Sequence, residues 1–170
     1  NYPFNFSKIN NFAVQSAKGE VLLFLNNDTE VITKDWLEQM LFYALQPDVG
    51  TVGAKLYYPD DSIQHGGVII PSDGFPVHIY KGKSKSESDK FLQLNLPQNY
   101  SAVTGACMML KKSIFIEMNG FDPAFQLAFG DIDLCLRIQE KGYRNVWTPY
   151  AQLYHFESKT RGYEDTPEKI

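Results

Sequence analysis

With 170 residues and a formal charge of −4, the chain has the size of one domain, and it offers no general electrostatic reason to bind nucleic acid or an anionic membrane. A composition 44% hydrophobic and 14% aromatic excludes a disordered tail. Two cysteines, Cys107 and Cys135, are too few for a disulfide scaffold, so a reducing cytoplasm is the expected compartment. No apolar run approaches the ~20 residues of a membrane span, and no signal-peptide pattern is present. The opening Asn1-Tyr2-Pro3-Phe4 reads as the middle of a longer protein.

In chain order, Ser7 is placed to cap a helix in which Ile9, Phe12, Ala13 and Ala17 recur at helical spacing, with Gly19 as its exit. Val21-Leu22-Leu23-Phe24-Leu25 follows as a short apolar run of the kind a buried parallel strand presents, ending in the polar cluster Asn26-Asn27-Asp28-Thr29-Glu30. Thr33 is expected to cap a second helix carrying Trp36, Leu37, Met40, Leu41 and Ala44 and closed by Pro47, and 49–56 reads as the next strand. Between 57 and 96, Pro59, Gly66, Gly67, Pro71, Gly74 and Pro76 punctuate short strands, and the serine-rich stretch 81–90 reads as a mobile surface loop. A strand over 101–110, a short helix capped by Ser113 and ending near Gly120, and a helix over 131–141 stopped by Gly142 come next. Short strands at 144–147 and 152–155 complete the pattern. Alternating strands and helices predict one α/β domain with a mainly parallel sheet flanked by helices, whose ligands gather beyond the carboxyl ends of the strands.

Asp28 stands where a strand-end carboxylate could share a divalent cation with a diphosphate, although a turn is the commoner role for Asn and Asp in such a cluster. Asp131 and Asp133 begin the 131–141 helix, where the helix dipole favours acids. At i and i+2 they point about 200° apart around a helix of 3.6 residues per turn, so they cannot form a matched acid/base pair. One is expected to face a cleft while the other caps the helix or pairs with a basic group. His155 ends the aromatic run Leu153-Tyr154-His155-Phe156, where a satisfied core histidine is the ordinary reading. Lys159 and Arg161 beyond it suit a diphosphate. His65 and His78 match no zinc spacing and receive no metal role.

Together these segments resemble glycosyltransferase family 2, a family with the GT-A fold, and in particular its bacterial rhamnosyltransferase-like branch. The resemblance runs through Ser7-Lys8-Ile9-Asn10-Asn11, then Leu23-Phe24-Leu25-Asn26-Asn27-Asp28, which is similar to an Asp-x-Asp metal motif with Asn26 in the first acidic place. It continues through Thr104-Gly105-Ala106-Cys107, Asn119-Gly120-Phe121-Asp122, Phe129-Gly130-Asp131-Ile132-Asp133 and Tyr154-His155-Phe156 to Arg161-Gly162. Many family members carry Glu where this chain has Gly130. The family's opening nucleotide-binding strands and helix have no counterpart before Asn1, so a partial catalytic domain is expected, inactive as it stands and open to self-association along the exposed 21–25 strand.

The resemblance implies an inverting, Mg²⁺- or Mn²⁺-dependent transfer of a sugar from a UDP- or dTDP-linked donor to a glycan or lipid-linked saccharide, in polysaccharide biosynthesis. It places Asp131 as general base, Asp28 and His155 as metal contacts, and Asn11, Asn27, Asp28 and Arg161 at the donor. The full-length enzyme is then expected in the cytoplasm at the inner face of the membrane, where a membrane-associated acceptor would be met. The rivals are a nucleotidyltransferase, which needs a glycine-rich basic loop not visible here, and a non-catalytic glycan-binding or degenerate transferase domain.

Overall fold

The computed structural model describes residues 4–90 and 92–157. Helix α1 (Phe6–Ser16) is capped by Asn5, whose side-chain oxygen accepts from the Lys8 amide at 2.8 Å. The expectation that Ser7 caps it is corrected, because Ser7 lies one residue inside the helix, buried, with its hydroxyl donating to the Phe125 carbonyl at 2.6 Å. The expected apolar face is turned over as well: Ile9 and Phe12 are exposed, while Ser7 and Val14 are buried. Polar groups point inward here because α1 docks on the backbone of 121–126, through Asn5 to Pro123, Ser7 to Phe125 and Asn11 to Phe121.

Strand β1 (Val21–Leu25) buries Leu22 and Phe24 and leads through a turn into β2 (Thr29–Val31). Helix α2 (Trp36–Ala44) follows with Asp35 at its N-cap position. Thr33 does not cap it: the Thr33 hydroxyl donates to the Tyr150 carbonyl and accepts from the Gln152 amide, tying the 31–33 segment to the last strand. Strand β3 (Val49–Tyr57) is buried along its whole length. Short strands β4 (Ile63–His65), β5 (Val68–Ile69) and β6 (Val77–His78) come next, with β5 and β6 forming a hairpin. The 81–90 stretch ends in a 3₁₀ turn at Lys85–Lys90, followed by another at Leu92–Asn95.

Strands β7 (Gln98–Tyr100) and β8 (Cys107–Lys111) precede helices α3 (Lys112–Glu117) and α4 (Gly130–Glu140), and β9 (Arg144–His155) closes the described fold. The strand expected over 101–110 is shorter, because at Gly105 the backbone N–H turns to the Asp131 carboxylate instead of a ladder partner. Ser113 lies inside α3 and does not cap it. The two strands expected at 144–147 and 152–155 are one strand with a register irregularity: Thr148 faces Ala54 while Gln152 faces Lys55.

The main sheet runs in the order β1-β8-β3-β9-β2, with β4 beside β3 and β7 beside β9. It is mixed, not mainly parallel: among the described residues only β3 and β9 pair in parallel, because β8 inserts antiparallel between β1 and β3. Helices α3 and α4 cover one face with Phe115, Leu134 and Ile138, and α2 covers the other with Met40 and Ala44. Gly50 and Gly53 permit that close packing, since a Cβ at Gly53 would sit 2.5 Å from the Val103 Cβ and one at Gly50 2.1 Å from an Ile138 methyl. No helix among the described residues is long and apolar enough to cross a membrane.

Candidate active site

A cavity of about 560 Å³ opens where β1 and β9 end and α4 begins, and Asn26, Asn27, Asp28, His78, Asp131 and His155 all line it. The 26–28 turn is fixed by three bonds: the Asn26 amide donates to the Ala106 carbonyl, the Thr29 hydroxyl to the Asn26 carbonyl, and the Phe156 amide to the Asp28 carbonyl. Pairing of β2 with β9 sets Thr29 opposite His155. That register carries Asp28 and His155, far apart in sequence, to 3.2 Å between Oδ1 and Nε2.

Gln64 determines which nitrogen of His155 carries the hydrogen. Its amide NH₂ donates to the His155 carbonyl at 3.3 Å and to the Glu157 carboxylate at 3.1 Å, so Oε1 is the atom turned to the ring. His155 Nδ1–H therefore donates to Gln64 Oε1 at 2.7 Å, and in the neutral ring Nε2 keeps its lone pair and accepts from the Asn26 side-chain Nδ2 at 3.2 Å. That lone pair also faces Asp28 Oδ1, a buried oxygen without a hydrogen bond. Two facing acceptors are stable only with a positive centre between them: a proton on Nε2, which makes an ion pair, or a bound cation.

Asp131 enters from another direction. Phe129, in left-handed backbone geometry at φ 65°, turns the chain into α4, and Asp131 occupies its first turn. Its Oδ2 accepts from the Gly105 amide at 2.7 Å and Oδ1 from the Ile132 amide at 2.9 Å, which fixes the carboxylate at the cavity wall. Gly105 allows this approach, since a Cβ there would lie 3.3 Å from the Asp131 Cβ. Asp133 turns elsewhere, to Arg137 Nε at 2.9 Å and Nη2 at 2.7 Å, and Arg137 also donates to the Met118 and Gly120 carbonyls. The two carboxylates diverge as their helical spacing predicts.

Asn11 is not brought to the cavity. Its amide donates to the Phe121 carbonyl at 2.7 Å and its oxygen accepts from the Phe121 amide at 2.9 Å, which engages both ends of the side chain with the 119–121 turn. Asn27 is exposed on the rim, and Arg161 lies outside the described residues. Sequence reasoning missed Gln64, whose role exists only through the β3–β4 and β3–β9 pairings, and it missed the contact of His65 with His78 at 3.0 Å between their Nδ1 atoms.

The architecture defines a class before it defines a family: residues spanning 96% of the chain superimpose on GalNAc-T7, solved with UDP, GalNAc and Mn²⁺, at a TM-score of 0.71 and 15% identity, covering 32% of that chain. This likeness shows the GT-A fold. The family profile described as Glycosyl transferase family 2 matches residues 4–118, and the chain belongs to that family. A second profile, the N-terminal domain of galactosyltransferase, matches residues 87–159 and so spans Asp131 and His155. The chain is 51% identical over 171 residues to protein y4gI of Sinorhizobium fredii and 39% identical over 168 residues to the O-antigen biosynthesis protein RfbC of Myxococcus xanthus. Each alignment covers 98% of this chain, yet the chain spans only 18% and 13% of those relatives.

Proposed function

We propose that the protein carrying this chain is an inverting glycosyltransferase that moves a sugar from a UDP- or dTDP-linked donor to a glycan or lipid-linked saccharide during polysaccharide synthesis. The observation that carries the reading is the buried Asp28 Oδ1, unbonded and facing the His155 Nε2 lone pair in the cavity that also holds Asp131. Family membership, the similarity to the O-antigen biosynthesis protein RfbC and the UDP and Mn²⁺ of the GalNAc-T7 structure support it.

Asp28 and His155 would hold the divalent ion, with Gln64 keeping the imidazole in its ligating tautomer. Among the described residues no group of three or more metal-ligating side chains is gathered, so donor diphosphate oxygens and water must complete the shell. An imidazole in the pair favours Mn²⁺ over Mg²⁺, which takes oxygen ligands. A divalent ion held by Asp28 and His155 would offset the charge that develops on the departing nucleotide diphosphate. Asp131 takes the proton of the attacking acceptor hydroxyl, on lone pairs not used by the Gly105 and Ile132 amides. With Asp133 committed to Arg137, and Glu157 of the same cavity accepting from Tyr58 and Gln64, Asp131 is the carboxylate that α4 presents to the cavity, and a single displacement with inversion needs one base and no carboxylate nucleophile.

Calorimetry of UDP with Mn²⁺ and the full-length protein tests the reading. Asp28→Asn should weaken Mn²⁺-dependent binding at least about tenfold, the scale of losing one charged ligand. Equal affinity for the variant and the parent would remove Asp28 from the site, and the reading with it.

A further inference from the structure

His65 and His78 serve neither the cation pair nor the base, yet their geometry defines one hydrogen atom in the cavity. His65 is fully buried at the end of β4, and its Nε2 accepts from the Thr104 backbone amide at 3.4 Å. A backbone amide can only donate, so the hydrogen of the neutral ring sits on Nδ1. Burial holds the His65 pKa well below the ordinary histidine value, in keeping with a neutral ring. That Nδ1–H lies 3.0 Å from His78 Nδ1, which must accept it. The hydrogen of His78 is thereby placed on Nε2, and among the described residues nothing hydrogen-bonds that nitrogen. His78 lines the cavity and feels the Asp131 charge.

We propose that His78 is a tautomer-locked hydrogen-bond donor to the saccharide acceptor, with His65 as the positioning residue that sets the lock. The inference rests on the glycosyl-transfer reading above. A sugar ring carries neighbouring hydroxyls, each able to give one hydrogen and accept others. The one deprotonated by Asp131 needs a carboxylate, and the next is held by an N–H donated to its oxygen. An unlocked imidazole could offer a lone pair in the same place and would not select between donor and acceptor groups. Phe125 and Phe129 in the same wall supply apolar surface for the C–H face of a pyranose.

The test uses the full-length protein with Mn²⁺, the nucleotide sugar it consumes from a panel of UDP-, GDP- and dTDP-sugars, and methyl glycosides as acceptor probes. Donor hydrolysis without glycoside reads the donor half alone, whereas transfer reads both halves. His78→Phe should raise the acceptor KM about tenfold, the worth of one net hydrogen bond, and leave hydrolysis within about twofold. His78→Gln, which keeps an N–H near the Nε2 place, should recover most of the loss. His65→Phe should reproduce the defect, and His65→Asn, with an N–H near the Nδ1 place, should relieve it. An unchanged acceptor KM in His78→Phe, equal losses of hydrolysis and transfer, or no recovery in His78→Gln overturns the proposal while the transfer reading stands. A protein that consumes no nucleotide sugar and binds no UDP with Mn²⁺ removes the transfer reading and this proposal together.

Discussion

His65 is a buried imidazole kept neutral by its surroundings, chiefly by burial and secondarily by the neighbouring His78 and His155 rings. In the unfolded chain the same ring takes up a proton near its ordinary pKa of about 6.5. The sign follows directly: below that pH the unfolded state binds a proton that the folded state refuses, so stability falls as pH drops, by at most about 1.4 kcal/mol per pH unit for each such group. His78 is shifted in the same direction, again mainly by burial. Urea midpoints measured between pH 7.5 and 5 should decline, and His65→Asn should flatten the decline; a flat profile for the parent would mean the ring is protonated in the fold. At this scale the sequence was most legible where chemistry is local. Asp28 stood out as a candidate at a strand end and the Asp131 and Asp133 pair at a helix start, with the choice between the two left to the family resemblance, whereas Ser7 and Thr33 misled because their hydroxyls serve distant carbonyls at Phe125 and Tyr150. The ring pair of His65 and His78, meeting across thirteen positions through the β5–β6 hairpin, left no local signal.

Among the elements, β3 is the packing centre, flanked by β8 and β9 and covered on both faces. Glycine in a strand is ordinarily weakening, so Gly53→Ala would be a gain on backbone grounds alone. Here the new methyl would lie 2.5 Å from the Val103 Cβ, inside a fully buried contact, and the overpacking decides the sign. We expect a loss of about 1–3 kcal/mol in denaturant titration. A raised midpoint in the variant would contradict the packing. The element types were readable from apolar runs and helical spacing, but strand direction was not. A short apolar run such as 21–25 is the same in a parallel or antiparallel ladder, and only the β1–β8 pairing settles it. The face of α1 was misread for a related reason: periodicity identifies a stripe, while the docking partner, here the backbone of a loop, decides whether an apolar or a polar stripe turns inward.

At the scale of the molecule, the fold carries three remote positions to one cavity: Asp28 from the end of β1, His155 from the end of β9 and Asp131 from the start of α4. We propose that the two carboxylates divide the work, Asp28 with the cation and donor and Asp131 with the acceptor proton. The most direct measurement is steady-state transfer by the full-length protein with Asp131→Asn beside Asp133→Asn, together with Mn²⁺-dependent donor affinity for each. Asp131→Asn is expected to lower transfer by about 10²–10⁴-fold with donor affinity nearly intact. Asp133→Asn, whose carboxylate serves Arg137, should lose stability and keep its turnover. Transfer that survives Asp131→Asn, or that collapses with Asp133→Asn while Asp131→Asn is spared, would contradict it.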